Sequence, residues 1–175
     1  MDRLTGEGFT RHMFEFFRGG SLILAVITMG LMTGIFQIYS HTVMPGLAKT
    51  DDRTFVGAFQ AMDRAIMNPL FLSTFLGAFI FTGLATALSL GSASRSLLPW
   101  LVAALVLYLI VMIITFRVNV PLNDALKAAT DPDLGAVRER FNEALWTRWN
   151  HARSWLSTGA FVSLAWGLVV YGKLL

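Results

Sequence analysis

The residues best suited to chemistry here are polar side chains set at helical spacing beside apolar runs. Asn142, Trp146, Asn150 and Arg153 fall at i, i+4, i+8 and i+11. Thr115, Asn119 and Asn123 fall at i, i+4 and i+8, as do Thr33, Gln37 and His41. Such spacing puts each set on one face of a helix. His41 titrates near neutrality and can act as a general base, or it can be a hydrogen-bonded histidine at a helix end. Arg153 has no acidic neighbour at i±3 or i±4, so it either snorkels to a headgroup layer or binds something anionic. Asn119 and Asn123 either face a site or cap the break expected at Pro121. Trp146, Trp149 and Trp155 suit a membrane interface as well as a flat ligand.

The elements that must position these groups are set by charge. Only 14% of the 175 residues are charged, 55% are hydrophobic, and the mean hydropathy is +0.60. The uncharged runs 19–48, 65–94, 96–116 and 154–172 each approach or exceed the roughly 20 residues that cross a bilayer core. We therefore expect an all-α, antiparallel four-helix transmembrane bundle forming a single domain over residues 1–175. Its spans run over about 20–44, 69–90, 97–118 and 150–171. The Pro45-Gly46 pair should stop the first, and Asn68 with Pro69 should cap and open the second.

Both termini then share one side of the membrane and the two long loops share the other. Each loop should carry amphipathic helix: Phe55, Phe59 and Met62 mark the first, lying on the membrane surface, with Gln60 and Asp63 on its opposite side. Leu134, Val137, Phe141 and Leu145 mark the second, after a break at Asp131-Pro132-Asp133, and Ala125–Glu143 reads as amphipathic surface with paired charges. Residues 1–18 read as a short interfacial lead-in and not as a signal peptide, since the apolar run that follows is too long. Lysine and arginine number 5 on the terminal side, counting Arg95, and 9 on the loop side, which would put the loops in the cytoplasm. Gly30 and Gly34 allow close helix approach, within a chain or in a homo-oligomer.

The ends of the first span, the third span and the start of the fourth meet on the loop side. Their polar stripes should converge there as a pocket, because polar groups in a bilayer are costly unless they face one another or water. Convergence of His41, Asn119 and Asn150 is the condition for an enzymatic site. Cysteine is absent, which excludes disulfides and thiolate ligands. The net charge of +3 forms no dense basic run, so no nucleic-acid partner is expected. No metal and no other cofactor is expected: there is no His-x-x-x-His pair and no carboxylate in the spans. A weaker alternative is haem held by His41 and His151, although His151 points about 100° from the Asn150 stripe on an ideal helix.

Several short motifs stand beside these spans: His-Thr-Val-Met-Pro-Gly-Leu at 41–47, Phe-x-x-x-Phe-Gln at 55–60 and Asn-Pro-Leu-Phe at 68–71. Asn-Val-Pro-Leu-Asn at 119–123 and Trp-x-x-x-Asn-x-x-Arg at 146–153 are the more specific. Together they make the chain, over about Gly20–Gly172, resemble the DUF1772 or anthrone oxygenase-like family. The resemblance implies a small integral membrane protein, and in some members O₂-dependent oxidation of an anthrone to an anthraquinone without metal or flavin. The expected setting is a bacterial inner (plasma) membrane, with membrane lipid and a lipophilic small-molecule substrate as partners. That chemistry would use His41 as base, Asn119, Asn150 and Arg153 as catalytic donors to an enolate oxygen, and Gln37, Gln60, Asn123, Trp146 and Trp149 around the substrate. The reading of a different class is a non-enzymatic membrane module that binds a lipid, a quinone or a partner protein, with Arg153 and Arg148 on an anionic headgroup.

Overall fold

A computed structural model describes residues 2–91, 94–129 and 132–174. The described chain is all helical, and four of its helical stretches are long and apolar enough to cross a membrane: His12–Leu47, Pro69–Leu88, Leu98–Lys127 and Leu134–Gly172. The helices are α1 (Asp2–Ile38), α2 (Met44–Leu47), α3 (Asp52–Ile66), α4 (Pro69–Leu88), α5 (Leu98–Ile114), α6 (Val120–Lys127), α7 (Leu134–Phe141) and α8 (Glu143–Gly172). Two π-helical turns, Tyr39–Val43 and Thr115–Asn119, join α1 to α2 and α5 to α6.

The bundle is a ring in the order α1, α4, α5, α8, each packed on the next and α8 closing on α1. Its core mixes medium and very small residues: Met29 and Met32 from α1, Ala78 and Ala85 from α4, Leu101 and Ala104 from α5, Ala160 and Leu164 from α8. Lipid is as apolar as these side chains, so close packing and interhelical hydrogen bonds hold such a bundle rather than water exclusion. A Cβ on Gly30 would stand 3.0 Å from the Phe161 ring, so this glycine serves a contact within the chain, whereas nothing lies within 4 Å of the corresponding point at Gly34. The buried Tyr108 hydroxyl donates to the Phe75 carbonyl at 3.0 Å and ties α5 to α4.

Caps start the helices where the sequence places them. Asn68 accepts from the Phe71 N–H at 2.9 Å with Pro69 in the first turn, and Asp133 accepts from the Ala136 N–H at 3.1 Å. Asp51 accepts from the Thr54 N–H at 2.8 Å, and this bond holds its carboxyl below the usual aspartate range. Asp131, part of the expected break, lies outside the described residues.

Three expectations about the elements need correction. Pro45 does not stop the first helix, and Pro121 does not break the third. In each case the π turn ends just before the proline, with the Met44 N–H reaching the Tyr39 carbonyl and the Val120 N–H reaching the Thr115 carbonyl. The wider i→i+5 turn shifts the ladder where a proline would meet the carbonyl four residues back, so the helix continues. The lead-in at residues 2–18 is not a separate interfacial piece but the start of the continuous α1. The loop helices are not loose surface either. Phe55, Val56 and Phe59 of α3 pack with Leu126, Val137, Phe141 and Trp146 as a second core capping the loop side of the bundle. Arg138 locks this cap, with Nη1 on Asp52 at 3.1 Å, Nη2 on Glu143 at 3.0 Å, and its guanidinium 4.2 Å from the Phe55 ring centre.

Candidate functional site

Between the bundle and its cap lies a cavity of about 420 Å³. One wall is apolar, built from Phe36, Ile66, Phe71, Phe75 and Phe116. The other carries the polar groups, and each comes from a helix feature already described. The π turn after α5 and its continuation into α6 present Thr115, Asn119 and Asn123. The third stripe, on α8, presents Trp146, Asn150 and Arg153.

Arg153 is the centre of the site. It is 6% exposed and does not snorkel. Nη1 donates to Thr115 Oγ1 at 3.2 Å and Nη2 to Asn150 Oδ1 at 2.8 Å. Its guanidinium lies 4.7 Å from the Phe36 ring centre and 5.5 Å from that of Trp146. All of these partners are neutral, and Nε has no hydrogen-bond partner. Asn119, 1% exposed, gives its Nδ2 to the Trp146 carbonyl at 3.3 Å and leaves Oδ1 without a partner. Asn150, also 1% exposed, donates to the Phe36 carbonyl at 3.2 Å and to Ser40 Oγ at 2.8 Å, which orients its Oδ1 toward Arg153. A buried cation normally has an anionic partner or a full set of acceptors. Arg153 Nε and Asn119 Oδ1 are thus buried without a partner on two residues that line one cavity, and a polar, electron-rich ligand atom would complete them once these side chains turn toward it.

Toward the cap, the cavity carries a second polar group that the spacing argument missed. Asp63 of α3 is 8% exposed. Its Oδ1 accepts from Asn123 Nδ2 at 2.8 Å and its Oδ2 pairs with Lys127 Nζ at 2.9 Å. Asn123 Oδ1 in turn accepts from Trp146 Nε1 at 2.7 Å. Tyr39 lines the cavity between the two polar centres, within electrostatic range of both Asp63 and Arg153. The expectation that Asp63 lies opposite the apolar side is overturned: it continues the Phe55, Phe59 stripe by one more step of four, an acid on the buried face of an amphipathic helix.

The remaining predicted site residues do not reach the cavity. His41 is exposed on the first π turn, with its Nδ1 2.7 Å from Thr42 Oγ1, so the expected convergence of His41 with Asn119 and Asn150 fails, and an enzymatic reading has to find its base elsewhere. The stripe it belongs to faces α8 elsewhere: Thr33 donates to the Ser157 carbonyl and Gln37 Nε2 to Thr158 Oγ1, both at 3.0 Å. Gln37 is therefore a seam residue, and the residues that meet the cavity from this side are Ile35 and Phe36 of α1 and Tyr39 of the π turn. Gln60 donates to the Leu126 carbonyl at 2.9 Å and joins α3 to α6. Trp149 is half-buried outside the cavity lining. Asn142 is the N-cap of α8 in a left-handed conformation rather than a lining residue. Arg148 and His151 line an open depression outside the bundle, and His151, like His41, is exposed and lies outside the cavity lining. Among the described residues no group of three or more His, Asp or Glu side chains could hold a metal ion.

Known families provide the remaining constraint. The family model described as anthrone oxygenase matches residues 55–163, more than half of the chain. The chain belongs to the anthrone oxygenase family. The matched stretch of this anthrone oxygenase family member runs from α3 into α8 and carries Asp63, Thr115, Asn119, Asn123, Trp146, Asn150 and Arg153. No curated protein and no solved structure matches it.

Proposed function

We propose that this family member is a membrane-embedded oxygenase that needs no cofactor and acts on a lipophilic, enolisable aromatic substrate of the anthrone type. The observation that carries the reading is Arg153: a buried cation with only neutral partners, on a mostly apolar cavity between spans. An anthrone that loses its acidic C–H proton becomes an electron-rich aryl oxyanion, which reacts with O₂ directly. The protein needs to lower the cost of that anion. Arg153, held in place by Asn150 and Thr115 on the cavity lining, supplies a positive charge that favours the developing oxyanion. Asn119 lines the same cavity, and its carboxamide oxygen, buried without a partner, accepts from a substrate hydroxyl once the side chain turns toward it.

The overall reaction balances without a reductant. The substrate anion passes an electron to O₂, the two radicals join into a hydroperoxide, and loss of water leaves the second carbonyl. One oxygen atom ends in the quinone and the other in water. Phe36, Phe71, Phe75 and Trp146 offer the flat faces such a polycycle stacks on. Met67, Leu72, Leu76 and Phe116 line the cavity and are also exposed on the outside of the bundle, so a substrate dissolved in the bilayer has an apolar way in.

The test is O₂ uptake and quinone formation from anthrone by the purified protein, stripped of metal and flavin. Arg153→Met should cut turnover by roughly 10²–10³-fold, the size expected when a main oxyanion donor is lost. Wild-type turnover no faster than anthrone's autoxidation would sink the reading. The same guanidinium, which has no anionic partner, also suits an anionic lipid headgroup in a non-enzymatic module. Lipid that co-purifies in native mass spectrometry and is lost in Arg153→Met, with no O₂ uptake in wild type, would select that alternative.

A further inference from the structure

We propose that Asp63 is the proton acceptor of this cavity, the residue that takes the substrate's acidic C–H proton, and that Asn123 and Lys127 hold it in position. The inference rests on the oxygenase reading of the same site.

Among the groups that line the cavity, the choice is narrow. No histidine lines it. Arg153 and Lys127 are cations, and Tyr39 is a phenol that keeps its proton near neutral pH. The lining carboxylates are Asp63 and Asp124. The side chain of Asp124 is 61% exposed and pairs with Lys127 at 3.1 Å on the outer side. Asp63 is the buried one.

Its placement is costly for the fold, which is a mark of function. The stripe Phe55, Phe59, Asp63 puts a carboxylate where an apolar side chain would pack α3 onto the bundle. The chain then supplies two donors to hold that carboxylate. Asn123 Nδ2 is on one oxygen and Lys127 Nζ on the other, and Trp146 Nε1 fixes Asn123 from its far end. The indole that does this also forms part of the aromatic wall and reaches the Arg153 guanidinium with its ring. One side chain therefore sets the relation between the proton acceptor and the oxyanion site. An anthrone carries its carbonyl oxygen and its acidic CH₂ on opposite ends of the central ring, and the cavity offers a group for each on separate elements, Arg153 on α8 and Asp63 on α3.

The proton steps then follow. Asp63 removes one proton from the CH₂, and the C–H electron pair runs through the ring to the carbonyl oxygen at Arg153. After the anion has combined with O₂, Asp63 returns that proton to the distal peroxide oxygen. It then takes the second proton from the same carbon as the O–O bond breaks. That C–H pair becomes the new carbonyl π bond, and hydroxide leaves and takes up the proton as water.

The test uses the full-length protein in detergent with anthrone and its 10,10-dideuterated form. Wild type should show a primary deuterium isotope effect on quinone formation. Asp63→Asn should slow quinone formation by about 100-fold or more, the size typical of a lost general base, while anthraquinone still quenches tryptophan fluorescence with wild-type affinity. Asp63→Glu, which keeps the carboxylate, should retain a measurable fraction of the rate even if Asp63→Asn fails to fold. Asn123→Ala should lower kcat about tenfold with KM unchanged, because it loosens the base without emptying the cavity. Asp63→Asn turning over within twofold of wild type, or equal inactivity of Asp63→Glu and Asp63→Asn in folded protein, would overturn the assignment of Asp63 and leave the oxygenase standing. No wild-type turnover at all would remove both.

Discussion

Arg153 is the residue whose environment is hardest to explain by stability. Taking a guanidinium out of water costs several kcal/mol, and attraction to an anion usually offsets part of it. Here two neutral acceptors and two rings are the partners, and Nε is left over. A methionine of similar length should therefore fit with little loss of stability. Arg153→Met is expected to leave the melting temperature in detergent unchanged or raised, while activity falls; a clear drop in melting temperature would make the arginine a structural brace. His41 is the converse case. It looked like the natural base by side-chain chemistry, yet it is exposed and bonds only its neighbour Thr42. His41→Ala is expected to keep quinone formation within about twofold of wild type, well under the 10²–10⁴-fold loss expected for a general base, which O₂ uptake will check.

At the scale of elements, the site depends on where helices deviate from ideal geometry. Both π turns precede a proline, and both bring polar side chains inward: Tyr39 and Ser40 from the first, Thr115 and Asn119 from the second. Asn142 is the third deviation. It ends α7 and begins α8 at φ 52°, with its side chain accepting from the Leu145 N–H at 3.1 Å. The turn lets α7 pack in the cap while α8 presents Trp146 to the cavity, and it leaves Leu145 exposed although the simple α7 period would bury it. Alanine there would lose the cap and tolerate the left-handed conformation poorly. Asn142→Ala is expected to cost about 1–3 kcal/mol, read from thermal unfolding in detergent, with a matching loss of order in the cap.

At the scale of the whole molecule, the cavity sits at the junction of two cores, one in the bundle and one in the cap. Its apolar side reaches the outer surface of the bundle through Leu72, Leu76 and Phe116. If substrate enters from the bilayer there, a bulkier side chain on that rim should slow entry more than chemistry. Leu76→Trp is expected to lower kcat/KM for anthrone several-fold while kcat stays near wild type, since uniform access rather than the transition state is affected. Equal losses in kcat and kcat/KM would instead place Leu76 against the reacting substrate.

Charge spacing by itself determined the four spans and their even count, and helical spacing of polar residues determined the two stripes that reach the site. The reason is that a bilayer imposes a length on every span and a penalty on every stray charge, so both are written along the chain. The cap at Asn68 was equally local. What only the tertiary structure decided is which stripes face the same space. Thr33, Gln37 and His41 share a helical face, but that face is the seam with α8 and the surface beyond it, because neighbours and not periodicity determine where a face looks. Asp63 enters the site through a helix from a loop that periodicity treats as membrane surface. It becomes a site residue only when α3 folds against α6 and α7, and its bond to Asn123 joins residues sixty apart in the chain.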